Sequence, residues 1–293
     1  MKLRALLAAA ALAVAVPSLA VPSPASAADS LKIAVTDIEG LEALQSEFGP
    51  FEDALEKSTG LDIELFPVGS RTAAVEAINA GQVDLVLTGP AEYVVIKELT
   101  DAKIVVGWQR PDYFAQVVAL ADGPIRRVAD LKGKSVAFGS VGSTSQHLGP
   151  AQALTDLGLV YGQDYEPKII SRNVAVEALI CGDIAAIGMN YSHLQRAREA
   201  YPDVAFTVVA RGRDLPNDIL VARADADPAA IDKVRKAFVD NGKSLLAAVL
   251  KGEDNQKYKG GFFLATVEDS DYDYVRSMYK TIGVDGFKSF VGN

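Results

Sequence analysis

The stretch Lys134-Ser-Val-Ala-Phe-Gly-Ser-Val-Gly-Ser-Thr-Ser-Gln-His-Leu-Gly149 is the part of the chain around which the rest is organised. Residues 135–138 read as a short buried strand, two glycines form a tight loop after it, and Ser143, Thr144 and Ser145 open a helix. The first N–H groups of a helix lack partners within it and lie at the positive end of its dipole. The stretch therefore favours an anion-binding site, to which the three hydroxyls add donors. The alternative is that Ser143 is only a helix cap.

The N-terminal segment 1–27 is predicted to be a signal peptide that is removed on export. It contains Lys2 and Arg4, an apolar run, and the small-residue cleavage site Ala25-Ser26-Ala27. Without those two basic residues, the chain's 29 basic and 38 acidic side chains leave a net charge of −11. This excess of acid argues against nucleic acid or an anionic membrane as a partner, although it does not exclude a small anion. Cys181 is the sole cysteine, so the chain cannot form an internal disulfide framework.

Alternating strand and helix patterns predict two α/β units in tandem. The first unit reads β-α-β-α-β over residues 31–88, and the pattern restarts at residue 122. This order predicts parallel sheets covered by helices, with ligands bound beyond the C-terminal strand ends. We expect residues 28–117 plus 219–293 to form lobe 1 and residues 118–218 to form lobe 2. The segments at 114–120 and 219–221 are expected to cross between the lobes, so that the two crossings form a hinge beside a binding cleft.

Motifs of nucleotide and hydrolase sites are not found in the sequence. Gly133-Lys134-Ser135 lacks the glycine that a P-loop has five residues earlier, and no G-x-S-x-G surrounds Ser143. His147 and His193 are the only histidines, and their spacing is not that of a helical metal site. We therefore expect no cofactor.

An ordered set of motifs resembles the phosphonate, phosphite and phosphate substrate-binding proteins of ABC importers. The set comprises Gly-Pro-x-x-Tyr at 89–93, Asp-Leu-Lys-Gly-Lys at 130–134 leading to Gly-Ser-Thr-Ser at 142–145, and Leu-Pro-Asn-Asp at 215–218. The resemblance covers residues 31–282. It implies a type II periplasmic binding protein fold: a monomeric, periplasmic receptor that is not an enzyme. Such a receptor traps a phosphorus oxyanion and delivers it to a permease in the inner membrane.

The resemblance also implies ligand contacts at particular positions. Ser143, Thr144 and Ser145 match a motif in which hydroxyls and adjacent N–H groups hold the phosphonyl oxygens. Tyr113 falls where the family has a phosphonyl-contacting tyrosine. Asp218 matches an aspartate that can accept the hydrogen of a protonated P–OH group, which favours a monoanion.

Three positions depart from the family's pattern. Arg71 stands where an aromatic residue is frequent, Arg172 where a histidine is usual, and Ser192 where a carboxylate reads the amino group of an aminoalkylphosphonate. Two guanidinium groups gained and one acid lost predict a more anionic ligand, because arginine binds oxyanions in a bidentate fork. Each arginine has the alternative of a salt bridge on the surface. Tyr93 is a candidate either for the cleft wall or for packing at the hinge.

Two other functions stay open at this point. A receptor for a metal or metal complex, such as iron, would take oxygen and nitrogen ligands from Tyr93, Tyr113, Tyr191, His147 and Asp218. The hydroxyls and arginines suit an anion better. An enzyme on the same scaffold, such as a pyrimidine-precursor synthase, is disfavoured by the export signal and by the lack of a histidine pair.

Overall fold

Residues 30–286 are described by the computed structural model, so the predicted signal peptide at 1–27 lies outside the described residues. The strands are β1 (Ser30–Glu39), β2 (Asp62–Val68), β3 (Leu85–Thr88), β4 (Lys103–Trp108), β5 (Phe114–Leu120), β6 (Ser135–Phe138), β7 (Glu166–Ile169), β8 (Ala186–Asn190), β9 (Phe206–Asp214), β10 (Asp218–Ala222) and β11 (Phe263–Leu264). The helices are α1 (Leu41–Thr59), α2 (Arg71–Asn79), α3 (Pro90–Thr100), α4 (Gly149–Asp156), α5 (Arg172–Cys181), α6 (Tyr191–Ala200), α7 (Pro228–Val249) and α8 (Asp273–Thr281).

The strands form two separate sheets, which confirms the α/β fold class expected from the sequence. The first sheet has the order β11-β4-β10-β3-β1-β2, and the second has the order β7-β6-β8-β5-β9. Within each sheet three strands are parallel, β2-β1-β3 in the first and β7-β6-β8 in the second. The strands β10 and β5 join these parallel sets in antiparallel orientation. The sheets are therefore mixed rather than wholly parallel.

Helices pack on the sheets because apolar residues recur along them at helical spacing. In α1 the buried residues Leu44, Phe48, Phe51 and Leu55 repeat with helical spacing and form one apolar face. This face packs on the first sheet, where the ring centroids of Phe51 and Trp108 lie 5.3 Å apart in an edge-to-face arrangement. These core residues of the first lobe can therefore be identified from the sequence pattern alone.

The chain passes between the sheets through two short segments, residues 109–113 and 215–217. The segment 114–120, which was expected to cross, instead forms β5, paired antiparallel with β8 and β9 inside the second sheet. The first crossing therefore comes earlier in the chain than the pattern indicated, and the expected boundary at 117/118 falls within a strand. The returning strand β10 lies between β3 and β4 of the first sheet, so the second crossing ends where β10 begins.

Helix α8 lies against both lobes. The preceding residue Tyr272 packs on Tyr93 of the first lobe with ring centroids 4.4 Å apart. On the other side, Thr281 Oγ1 donates to Gln152 Oε1 of α4 at 2.6 Å. The C-terminal helix consequently links the lobes beside the two chain crossings. No helix within residues 30–286 has the length and apolar character needed to cross a bilayer.

Candidate ligand-binding site

A cavity of about 570 Å³ lies between the two lobes, and we call it the cleft. It is lined by the C-terminal ends of β1, β3 and β8, by residues in the first turns of α2, α3, α5 and α6, and by Ser140 and residues 143–146. This placement follows from the fold, because parallel sheets direct their C-terminal strand ends and the helix starts that follow them to one edge. The volume is in the range of small-molecule sites.

The loop after β6 is held in shape by a buried histidine. Gly142 has φ of +74°, a left-handed conformation that a residue without Cβ adopts at no steric cost. Its N–H donates to His147 Nδ1 at 3.1 Å, and His147 Nε2 lies 2.9 Å from the Tyr161 hydroxyl. Because Nδ1 accepts, the proton of the neutral ring is on Nε2. Burial lowers the pKa of His147 to about 4, so the ring keeps this neutral form at neutral pH.

The three hydroxyls identified from the sequence all line the cleft. Ser143, Thr144 and Ser145 are each 4% exposed. Ser143 stands at the N-cap of a π-helical turn, Thr144–Leu148, but its side chain makes no capping hydrogen bond. The interpretation of Ser143 as only a cap is therefore wrong for its hydroxyl. Single π-helical turns are frequent at functional sites.

Thr144 joins the two lobes directly. Its Oγ1 accepts the N–H of Ala91, in the first turn of α3, at 3.1 Å. A Cβ at Gly89 would lie 2.8 Å from Glu92 Oε2, so a larger residue at position 89 would require the Glu92 carboxylate to move. Since the threonine oxygen accepts here, its hydroxyl hydrogen remains a donor for a ligand in the cleft.

Asn190 orients the serines on the side of the second lobe. Its Nδ2 donates to Ser145 Oγ at 3.0 Å, while its Oδ1 accepts from Ser192 Oγ at 2.9 Å and from the N–H of His193 at 3.0 Å. The hydrogen of the Ser145 hydroxyl is thus directed away from Asn190, and the Tyr113 hydroxyl is a further hydrogen-bond partner of Ser145. The sequence analysis did not select Asn190, although its position at a strand end before a helix is typical of a helix cap.

Asp218 lies in the cleft as part of a cluster that includes an arginine not selected from the sequence. Arg110 Nη1 lies 3.3 and 3.4 Å from the two carboxylate oxygens of Asp218, and the Tyr258 hydroxyl donates to Asp218 Oδ2 at 2.7 Å. The Arg110 guanidinium also stacks 3.8 Å from the ring centroid of Tyr113. Burial raises the pKa of Tyr113 to about 12, against an opposing effect of Arg110, so its hydroxyl keeps a hydrogen to donate.

Arg71 lines the cleft as the sequence led us to expect, but it is paired with a buried acid. Arg71 Nε lies 3.0 Å from Glu92 Oε1, and Glu92 is only 2% exposed. The expectation that Arg71 adds a net positive charge is therefore wrong, since Glu92 offsets it. Glu92 lies within the motif at 89–93, yet the sequence gave no signal that its side chain pairs with Arg71, the first residue of α2.

Arg172 and Ser192 also line the cleft, on the second lobe. Arg172 is the first residue of α5, and its Nε donates to Gln146 Oε1 at 3.2 Å. Next to Ser192, His193 is buried, and its pKa is lowered to about 2 by burial and then by the charges of Arg172 and Arg196. The second lobe therefore presents positive charge and a neutral imidazole to the cleft.

Tyr93 does not line the cleft. Its hydroxyl donates to Asp269 Oδ1 at 2.8 Å, and its ring packs on Tyr272. Adjacent residues of a helix point about 100° apart, so with Glu92 facing the cleft, Tyr93 faces the hinge. Of the two roles considered for Tyr93, the structure shows the packing one.

The five residues considered as metal ligands do not converge. Tyr93 faces the hinge, and His147 is bonded to Gly142 and Tyr161. Within residues 30–286, no group of three or more histidine, cysteine, aspartate or glutamate side chains is placed to hold a metal ion.

Two α/β lobes, two crossings and a polar cleft lined by the helix starts of both lobes define the architecture of the chain. The chain belongs to the family described as ABC transporter, phosphonate, periplasmic substrate-binding protein, whose model matches residues 33–272. This confirms the resemblance seen in the sequence motifs.

Individual relatives differ in what their names say they bind. The phosphate-import protein PhnD of Mycolicibacterium smegmatis is 32% identical over 139 residues, covering 45% of this chain and 43% of that protein. A putative aliphatic sulfonates-binding protein of Escherichia coli is 34% identical over 122 residues, covering 41% of this chain and 37% of that protein. The chain thus spans less than half the length of these two curated relatives.

A solved structure shows the same fold over most of the chain. PhnD1 from Prochlorococcus marinus, in complex with methylphosphonate, superposes with a TM-score of 0.68 at 18% identity, covering 87% of this chain and 98% of that chain. At this level of identity the similarity establishes the two-lobe architecture.

Proposed function

We propose that the protein is the substrate-binding component of an ABC importer and that it binds a phosphorus oxyanion in the cleft. The ligand would be a phosphonate, phosphite, phosphate or phosphate ester. The observation that carries this proposal is the set of three buried hydroxyls, Ser143, Thr144 and Ser145, on a cleft that both lobes cover. Membership of the phosphonate-binding family supports it.

Binding would depend on neutral donors as much as on cations. Ser143 and Thr144 each have a hydroxyl that can donate to a ligand oxygen, and the hydrogen-bonded pair of Ser145 and Tyr113 has one more hydroxyl hydrogen to donate. Hydrogen bonds to a charged group are stronger than neutral ones, and the exclusion of water by two closed lobes strengthens them further. Arg172 would add charge from the second lobe.

Carboxylates in the cleft indicate that the ligand retains a proton. Asp218 and Glu92 both line the cleft, and a carboxylate repels a fully ionised phosphoryl group but accepts a hydrogen bond from P–OH. Asp218 already accepts from Arg110 and Tyr258, and its two oxygens have further lone pairs for a ligand hydrogen. This supports binding of a monoprotonated ligand near Asp218.

The proposed role requires no chemical step. The lobes would close on the ligand, and the closed form would be recognised by a permease in the inner membrane. The protein would act in the periplasm as a monomer, after removal of residues 1–27, and without nucleic acid as a partner or any enzymatic activity.

Calorimetry on the mature chain tests the proposal. Phosphate, phosphite, methylphosphonate, methanesulfonate and ferric citrate would be titrated separately under one buffer condition. We expect saturable binding of at least one of the three phosphorus oxyanions and none of ferric citrate. Binding of methanesulfonate or ferric citrate alone would refute the proposal.

A further inference from the structure

We propose, on the basis of the proposed function, that the second-lobe side of the cleft holds a second anionic subsite, formed at the starts of α5 and α6. This subsite would select phosphonates or phosphate esters whose substituent carries another negative charge, such as a carboxylate. The residues of this second subsite are Arg172, Ser192, His193 and Arg196.

The size of the cleft leaves room for such a substituent. A cavity of about 570 Å³ is far larger than methylphosphonate, whose phosphonyl group would occupy only the part beside Ser143, Thr144 and Ser145. Two series of hydrogen-bonded side chains connect the region of these hydroxyls with the second subsite. Asn190 connects Ser145 to Ser192, and Gln146, the residue after Ser145, accepts a hydrogen bond from Arg172. A ligand held at the loop would therefore extend its substituent toward the second subsite.

The cations of the cleft differ in how their charge is balanced. Arg71 and Arg110 each have a carboxylate partner within the cleft, Glu92 and Asp218 respectively. Arg196 forms no ion pair with any residue in the described range 30–286. Ser192 and Arg196 are four residues apart in α6 and so lie on one face of that helix. A positive charge in the cleft without an acidic partner is suited to an anionic substituent.

The pKa of His193 indicates that the electrostatic potential at the second subsite is positive. It lines the cleft, is only 8% exposed, and its Nδ1 has no hydrogen-bond partner among the described residues. After burial, the groups that most lower its pKa are all cations: Arg172, Arg196, Arg110 and Lys257. In the tautomer that has its proton on Nδ1, this nitrogen would donate to an anionic group of the ligand, and the cations around it favour such a group over an ammonium group.

Acids from the first lobe are the competing influence. Glu253 and Asp254 also line the cleft, and they would favour a cationic substituent if they dominated. Glu253 is the N-cap residue of the turn Asp254–Tyr258 that carries Lys257, and Asp254 is its first residue, so both acids approach from the lobe opposite to α6. Whether the protein prefers an anionic or a cationic substituent therefore shows which charges dominate, the arginines of the second lobe or the acids of the first.

The test compares four phosphonates by calorimetry: methylphosphonate, butylphosphonate, phosphonopropionate and aminopropylphosphonate. The wild-type protein should bind phosphonopropionate about tenfold more tightly than butylphosphonate, which has nearly the same length and no charge on its tail. Arg196→Gln should bring this ratio close to one. Arg198→Gln is the matched control, because Arg198 is exposed on the same helix and donates to Gln195 outside the cleft.

Each outcome separates this inference from the proposed function. If methylphosphonate binds but phosphonopropionate has no advantage, or if aminopropylphosphonate is preferred, the second subsite is refuted and the oxyanion receptor stands. An advantage of phosphonopropionate that survives Arg196→Gln also refutes the subsite as assigned. If none of the four compounds binds, the second subsite is refuted, and the proposed function fails with it only if phosphate and phosphite do not bind either.

Discussion

Replacing Thr144 with valine tests the binding loop most directly. Valine has nearly the same shape as threonine, so the change removes the hydroxyl and leaves packing largely intact. Thr144 is 4% exposed, and its Oγ1 accepts the N–H of Ala91 from the other lobe at 3.1 Å. The hydroxyl hydrogen is the part of the group that remains for the ligand.

The expected loss has two parts. A hydrogen bond to a charged ligand oxygen contributes about 1.5 to 3 kcal/mol, which corresponds to a rise in Kd of about tenfold to about 150-fold. The Ala91 N–H would also lose its acceptor, which costs the closed conformation about 1 kcal/mol. This second part acts on closure whether or not ligand is present, so it lowers the affinity further without changing the order in which ligands are preferred.

The assay is calorimetry with phosphate, phosphite and methylphosphonate on wild type, Thr144→Val and Thr144→Ser. Serine keeps the hydroxyl, so it should recover most of the affinity. Thr155→Val serves as a control, because the Thr155 hydroxyl donates to the carbonyl of Leu159 in the same helical segment but outside the cleft. Unchanged affinity in Thr144→Val would refute the assignment of this loop as the oxyanion site.

Three further predictions follow from the contacts around the cleft. Asp218→Asn removes the charge that balances Arg110, so phosphate binding at about pH 8 should strengthen relative to binding at about pH 6. An unaltered ratio of the two affinities would contradict the role of Asp218 in holding a ligand proton. His147 has its pKa lowered to about 4 in the folded protein, so the unfolded chain, with a pKa near 6.5, takes up its proton first and stability falls as the pH drops below about 6.5. His147→Gln should reduce the difference in unfolding free energy between about pH 7.5 and pH 5 by about 2 kcal/mol in urea titrations, with His193→Gln measured separately because His193 shifts stability in the same direction. Tyr93→Phe loses its bond to Asp269 and should lower the unfolding free energy by about 1 kcal/mol, with the Kd for methylphosphonate unchanged; a weakened Kd would place Tyr93 in the site after all.

The local elements of the fold were predictable because their signals are local. The apolar spacing in α1 and the glycine that ends it give a helix whose buried face needs no tertiary information to identify. The same holds for the strand, turn and helix start around Ser143. The crossing at 114–120 was misplaced because a continuous apolar run is typical of any buried strand and does not say to which sheet the strand belongs.

The candidate site was predictable where one short segment contains it and not where it depends on pairs of distant residues. The pairing of Arg110 with Asp218 joins residues that are 108 positions apart, and Thr144 meets the N–H of Ala91 across 53 positions. Neither separation has a periodicity that a sequence pattern can show. Arg71 was recognised as a cleft residue, but its charge balance was not, because the balance depends on Glu92 lying opposite it.

The sequence by itself determined the class of protein, the two-lobe α/β organisation and the hydroxyl-bearing loop, because hydrophobic periodicity and turn residues act over a few positions. Only the tertiary structure decided the electrostatics of the cleft. Charges at cleft residues act through distance and burial, so the offset of Arg71 by Glu92 and the exclusion of Tyr93 from the cleft follow from how the helices α2 and α3 pack and not from the identity of the residues.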